Sequence, residues 1–291
     1  LGLRPGDVLR GAGLPEDAFS REEVRLSSDE FFRFWSSLEL QLDDPLFPIA
    51  LGEAVIGNTF SPLIFAAMCS PDLAVALERL CTYKRLSAPL YLEAKTLPDR
   101  IRLDIVWVES SSLPPPSLLV MEFVFLVLLA RAGTRSHVRP LRVLSATELE
   151  PRAEYEAFLG SPIEPSDGHA IEFSLADAHL PFLTWSASIW SGFEPSLRQR
   201  LDELDSTATV TSRVRAALLT ALPSGRVTRG AIAKMLAMSE RSLSRALRQE
   251  QTSFRVVVAA VREELAMHYL RTSKLSSAEI GFLLGYDDVN S

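Results

Sequence analysis

Apolar positions recur every three or four residues through most of this chain and alternate in only a few short stretches. Residues 29–42 carry Phe31, Phe32, Phe34, Trp35 and Leu38 on one broad face, which predicts a helix with Ser28 as its N-cap. Ser70-Pro71-Asp72 opens a second helix running to about residue 86, with Leu73, Leu77 and Leu80 at helical spacing. The pattern then changes. Residues 89–95 and 100–108 read as two strands, the second alternating Ile101, Leu103, Ile105 and Trp107 against Arg102, Asp104 and Val106. Pro98-Asp99 between them suits a hairpin turn.

Pro114-Pro115-Pro116 breaks the pattern, and residues 117–132 follow as an apolar helix expected to end at Gly133. Strands are expected at 140–146, 162–165 and 169–174, with a short helix at 152–159 closed by Gly160. Helices and strands mix here without regular βαβ alternation, which predicts an α+β layer domain over residues 1–190. Residues 185–207 are polar and contain Gly192 and Pro195. They predict a connection with a short helix at 197–204, and residues 191–207 are taken as the linker. From residue 209 every element reads as helical, so residues 208–291 form an all-α domain. Its first helix carries Val214, Leu218, Leu219 and Leu222 on one face and is expected to stop at Pro223-Ser-Gly225.

One constellation in that domain carries chemistry. Residues 228–237 form a short helix capped by Thr228, with Ile232, Met235 and Leu236 pointing inward and small Ala233 at the close approach. Ala237-Met238 makes a tight turn, and Ser239 caps a second helix whose Leu243 and Leu247 face the first. The opposite face carries Arg241, Ser244, Arg245 and Arg248. A helix-turn-helix needs this layout, because the outer face of its second helix enters the major groove. Arginine reads guanine O6 and N7 with two bonds, worth about 1–3 kcal/mol of discrimination. Residues near the start of the reading helix reach base edges, so Arg241, Ser244 and Arg245 are assigned to bases, and Arg248 and Arg255 to phosphate.

A helical hairpin with a solvated arginine face would look similar, but this unit returns forty-eight residues later. Ser276-Ser-Ala-Glu279 is a capping box leading into Ile280, Leu283 and Leu284, Gly285 makes the turn, and Asp287 is the expected cap of a further helix. Phe254, Val257, Val258, Val261, Leu265 and Tyr269 form one stripe, so residues 253–271 are a continuous rod. At about 1.5 Å per residue it spans roughly 28 Å, near the ~34 Å repeat that separates successive major-groove faces. The chain begins with Leu and stops at Ser291, and both ends are expected to be cut, leaving the second helix-turn-helix incomplete.

Charge supports the division. Residues 207–291 hold twelve Arg and Lys against seven acids, a balance of +5, whereas residues 1–206 carry −12 of the total of −7. A basic end on an acidic body is the footprint of a nucleic-acid module attached to another domain.

These residues resemble the AraC/XylS family of bacterial transcription regulators. The likeness rests on Leu236-Ala-Met-Ser-Glu-Arg-Ser-Leu-Ser-Arg245, Thr252-Ser-Phe254, Arg262 with Leu265-Ala266 and Tyr269-Leu270, and Ala278-Glu-Ile-Gly-Phe-Leu-Leu-Gly-Tyr286, in order and at spacing. The resemblance implies that Arg241, Ser244 and Arg245 occupy base-contacting positions. The family commonly has Gly where this chain has Ala237, which predicts a mild left-handed strain or a slightly different turn. Leu3-Arg-Pro-Gly-Asp, Gly13-Leu14, Ser70-Pro71, Leu77, Leu80, Tyr83, Tyr155 and Phe158-Leu-Gly-Ser-Pro162 resemble the arabinose-binding-like effector domain of a subgroup. That label is not a sugar assignment, since members respond to varied small molecules.

The resemblance implies a cytoplasmic regulator that binds double-stranded promoter DNA and an unknown small-molecule effector. It also implies contact with RNA polymerase and, through paired half-sites, a homodimer. The alternative is a small-molecule-binding protein whose helical end mediates protein contacts without DNA. No enzyme, cofactor or metal is expected, because His137, His169, His179 and His268 are scattered and no phosphate loop or nucleophile elbow occurs. Cys69 and Cys81 read as small buried thiols. Residues 118–130 are too short to span a bilayer, so no membrane segment is expected. Glu122 is the odd ionisable residue on an apolar helix: half of a buried pair, a charge near the positive helix start, or a contact for a cationic or hydroxylated effector. Trp107, Glu122, Phe123 and Phe125 are the expected effector lining, with plain core packing as the other reading of the aromatic three.

Overall fold

The computed structural model describes residues 2–20, 26–58, 61–108, 112–207, 209–222, 227–272 and 276–285. The chain divides into two compact units, Leu1–Leu201 and Asp202–Ser291.

The first unit opens with α1 (Pro5–Gly11), α2 (Ser28–Leu42), α3 (Phe47–Asn58), α4 (Pro62–Met68) and α5 (Leu73–Tyr83). Then come β1 (Leu90–Thr96), β2 (Arg100–Trp107), α6 (Pro116–Thr134), β3 (Arg142–Ser145), α7 (Arg152–Leu159), β4 (Ile163–Pro165), β5 (His169–Ser174) and α8 (Leu175–Ala178). Of these, α1, α3, α4 and α8 had no counterpart in the hydrophobic pattern. α2 is capped by Ser27 in place of the expected Ser28: the Ser27 side chain accepts from Glu30 N, and Glu30 answers to the Ser27 amide. The reciprocal bond with Glu30 decides the choice, since only a cap three residues earlier can form it.

The strands form one sheet in the order β1-β2-β5-β3-β4, antiparallel except for the β3–β4 pair. Ile101, Leu103, Ile105, Ile171, Phe173 and Val143 share one buried core with α5 and α6. The other sheet face is polar. Cross-strand register lines up Lys95, Arg102, Glu172 and Arg142, and Glu172 is ion-paired to both Arg100 (3.1 Å) and Arg102 (3.3 Å). Opposite charges on facing strands let this face stand against water.

α6 is apolar all round and buried on nearly every side, the signature of a central helix. It is long and apolar enough to cross a membrane, yet 83% of its apolar window is buried within the structure. It does not end at Gly133 but runs to Thr134, closing on Arg135 at φ 55°. Gly133 serves packing instead of termination: a Cβ there would lie 2.6 Å from the ring of Phe182. Gly52 likewise lets α3 approach α6, since its Cβ would meet Val124 Cγ1 at 2.6 Å.

Residues 191–207, expected as a linker, lie in a continuous helix, α9 (Ala187–Thr207), which passes through Gly192 and Pro195. Tertiary contacts override both breakers in its first half. Trp190 packs on Tyr83, Phe193 on Phe65, and Leu197 is buried in the core of the first unit. The Arg79 guanidinium lies 3.7 Å from the Trp190 ring centroid, a cation–π contact that fixes this face.

The second unit is helical, as its pattern required: α10 (Val210–Ala221), α11 (Arg229–Met235), α12 (Glu240–Gln249), α13 (Phe254–Thr272) and α14 (Ser277–Leu283). Val214, Leu218, Leu222, Ile232, Leu243, Leu247, Val257 and Val261 make its core. The expected stop at 223–225 and the cap at Asp287 lie outside the described residues.

Candidate nucleic-acid interface

Two caps and one left-handed residue build the first helix-turn-helix. Thr228 accepts from Ala231 N (3.1 Å) to start α11, and Ser239 accepts from Ser242 N (3.1 Å) to start α12. Between them Ala237 adopts φ 52°. Its amide donates to Lys234 O (3.1 Å) and the Met238 amide to Ala233 O (2.8 Å). This is a Schellman ending, in which the left-handed residue normally is glycine. The expected strain at Ala237 is therefore present.

With the turn fixed, α12 presents two faces. Leu243 and Leu247 are fully buried beside Ile232 and Ala233. Arg241, Arg245 and Arg248 are exposed and Ser244 half-buried, and at about 100° per residue the four share an arc of about 100° opposite the leucines. Arg255 is exposed in the first turn of α13.

The basic residues of this unit sort by what they touch. Arg229 pairs with Glu240 (2.8 Å). Arg213 donates from α10 to Leu236 O (3.3 Å) at the end of α11. Arg262 donates to Leu284 O (2.8 Å) and Gly285 O (3.0 Å) at the end of α14. By contrast, Arg241, Arg245, Arg248 and Arg255 have no protein partner among the described residues, which leaves their guanidinium donors open to an outside acceptor.

As far as Gly285, the second repeat begins as the first does, with a capped short helix and a left-handed turn residue. Ser276 and Glu279 form the expected capping box (Glu279 N to Ser276 Oγ, 3.4 Å), and these bonds hold the Glu279 carboxyl below its usual range. Gly285 turns at φ 72° in the position equivalent to Ala237. Sequence reasoning counted Arg213 as charge and Arg262 as charge and as part of the family resemblance, and gave neither a capping role. Their recurrence on the helix before each unit was the available signal for a capping role.

In the first unit, Glu122 pairs with Lys84, whose Nζ lies 2.7 Å from Oε2, both side chains under 10% exposed. The Lys84 ammonium also sits 4.8 Å from the Phe125 ring centroid. Phe123 and Phe125 are core residues. Trp107 packs edge-on against Phe32, and its buried Nε1 has no acceptor among the described residues. The structure thus brings Glu122 and Phe125 together through Lys84, which sequence reasoning missed. An open groove of about 440 Å³ runs beside Phe32, Arg33, Leu40, Gln41 and Leu113; none of the four expected effector residues lines it.

Among the described residues no cluster of three or more His, Cys, Asp or Glu could hold a metal. His137 is exposed, and His179 lies 3.1 Å from Asp72. The His169 ring accepts from the Ala146 amide (3.3 Å), with burial lowering its pKa. The side chain of His268 is outside the described residues. Burial pushes the Cys81 thiol up to about 11, so it stays protonated at neutral pH.

An α+β domain followed by a helix-turn-helix, with the first helix and turn of a second copy behind it, defines a DNA-binding regulator carrying a sensory domain. Comparison with known proteins gives the family. Residues 2–182 match the arabinose-binding domain of AraC transcription regulator, N-terminal, and residues 232–291 match a helix-turn-helix domain. The chain belongs to the AraC family of transcription regulators. It is 26% identical over 268 residues to the ornithine utilization regulator of Pseudomonas aeruginosa, covering 91% of this chain and 78% of that protein. The crystal structure of transcriptional regulator CdpR from Pseudomonas aeruginosa aligns over 99% of this chain and 91% of that one, with 18% identity and a TM-score of 0.47.

Proposed function

We propose that α12 is the reading helix of this regulator, with Arg241, Ser244 and Arg245 at base edges and Arg248 and Arg255 on phosphate. The observation that carries this is an arginine face without partners among the described residues: these donors sit opposite the buried Leu243 and Leu247, while neighbouring arginines are used inside the unit. Bidentate donors aimed outward from a rigid helix suit guanine, and those nearer the helix start reach deeper into the groove. A binding titration of Arg245→Ala on duplexes selected from a randomised pool, against scrambled duplexes, tests the assignment.

For the effector we place recognition on Lys84, Glu122 and Trp107, with Phe125 as the apolar wall and Phe123 behind it in the core. A buried ion pair adds little net stability over a well-packed apolar pair, so folding alone does not call for these two charges. The indole N–H of Trp107 lacks an acceptor among the described residues. A ligand with both a carboxylate and an ammonium would offer each of these groups a partner. The relative named for ornithine utilization makes ornithine the first probe. A thermal-shift titration tests this: a rise in midpoint that disappears in Glu122→Gln supports the placement, since a ligand of the folded state raises its stability. Effector binding then shifts the population of DNA-competent conformers. Residues 1–190 serve as the effector-binding and dimerisation domain, residues 191–207 as the connection and residues 208–291 as the DNA-binding domain. The regulator works in the cytoplasm as a homodimer on paired half-sites and contacts RNA polymerase.

A further inference from the structure

α10 precedes the helix-turn-helix and carries none of the assigned reading residues, yet it is tied to both helices of the motif. At its start the amides of Val210 and Thr211 donate to the two oxygens of Glu250, at 2.7 and 2.8 Å. Glu250 is the C-cap residue of α12. One turn further along α10, Arg213 reaches Leu236 O at the end of α11.

Val210 and Thr211 are the first residues of α10, where amides have no partner within the helix. Each oxygen of one carboxylate takes one of them, a geometry that fixes direction as well as distance. Burial tends to raise the Glu250 pKa, and the hydrogen bonds from Thr211 and Val210 outweigh it, leaving the carboxylate the favoured form. The end of α12 also carries its own Schellman ending, the Gln251 amide donating to Arg248 O (3.1 Å). It closes on Gln251 at φ 57°, a left-handed position without glycine, with Thr252 N donating to Leu247 O (2.9 Å).

We infer that Glu250 is a positioning residue: its carboxylate, bound to the leading amides of α10, sets the angle at which α12 offers Arg241 and Arg245 to DNA. This rests on the proposed reading role of α12. Glu250 itself carries the wrong charge to grip phosphate, so it acts through the helix it holds. Arg213 fixes the turn before α12 and Glu250 fixes its far end, which makes α10 the frame against which the reading helix is aimed.

The test is a fluorescence-anisotropy titration of the full chain on a duplex enriched from a randomised pool and on its scrambled counterpart. Wild type, Glu250→Gln, Glu250→Ala and Arg245→Ala are compared. Glu250→Gln keeps one acceptor and Glu250→Ala keeps none, while both remove the same charge. The preference for the selected duplex should fall by about threefold in the first and about tenfold in the second, with scrambled binding within about twofold of wild type. Equal losses in the two variants, unchanged preference, or parallel weakening on both duplexes would overturn the inference. Should Glu250→Ala fail to fold, the preference ratio of Glu250→Gln still decides. Arg245→Ala separates the two levels: if it keeps full preference, the reading face itself is wrong, whereas its loss beside an intact Glu250→Ala overturns only the clamp.

Discussion

Ala237 and Gly285 sit forty-eight residues apart and turn the chain in the same way, at φ 52° and 72°. Both lie in left-handed conformation just past the end of a short helix, yet only one is glycine. An L side chain in this region costs about 1–2 kcal/mol. Ala237→Gly should therefore stabilise the second unit by about 1 kcal/mol, after allowing for the greater entropy of glycine in the unfolded chain. Urea denaturation monitored by circular dichroism checks this, and an unchanged or lower midpoint would remove strain from the account of the turn.

The Lys84–Glu122 pair makes the opposite kind of prediction. Lys84→Met leaves an uncompensated carboxylate in an apolar core and should cost about 3–5 kcal/mol. The double variant Lys84→Met/Glu122→Leu removes both charges and should recover most of that loss. A double variant as unstable as the single one would mean that the pair is a net source of stability, which would weaken the case for an effector role.

Gly133 lies inside α6 and does not end it. Gly133→Ala places a Cβ 2.6 Å from the Phe182 ring. The ring must move, at a cost of about 1–3 kcal/mol for overpacking. Gly168→Ala, where nothing lies within 4 Å of the added atom, should change the thermal midpoint far less. Equal shifts in the two variants would contradict the close approach.

Glu250 gives a pH dependence with a defined sign. Its folded pKa lies below the ordinary 4.5, so its contribution is present above the unfolded value and is lost as pH falls through the folded one. The stability difference between wild type and Glu250→Gln should be constant near neutrality and shrink as pH drops below about 4.5. Chemical denaturation across that window would show the convergence. A gap that widened with acid would mean the carboxylate is not the favoured partner of Val210 and Thr211.

The helical repeat was legible because it depends on short-range signals: caps at Thr228, Ser239 and Ser276, leucines four apart, and a turn at a fixed place. The strands were legible from alternation, within one or two residues at their ends. What escaped was tertiary in origin. α9 survives Gly192 and Pro195 because Trp190, Phe193 and Leu197 find partners on α4 and α5, and no local propensity reports that. Lys84 escaped because it is thirty-eight residues from Glu122 in sequence, and a lysine ending an exposed-looking pattern gives no sign of burial. Arg213, Arg262 and Glu250 escaped for a different reason: charge was counted as field, whereas these three spend it on backbone groups.

The central claim is that the exposed arginines of α12 read sequence while Arg255 holds the DNA backbone. Anisotropy titrations of Arg245→Ala and Arg255→Ala on selected and scrambled duplexes, repeated at several salt concentrations, test it most directly. Arg255→Ala should weaken both duplexes alike and reduce the slope of log affinity against log salt by about 0.9, the release expected for one phosphate contact. Arg245→Ala should bring the selected duplex close to the scrambled one, losing about 1–3 kcal/mol of discrimination. Full discrimination retained by Arg245→Ala would contradict the account.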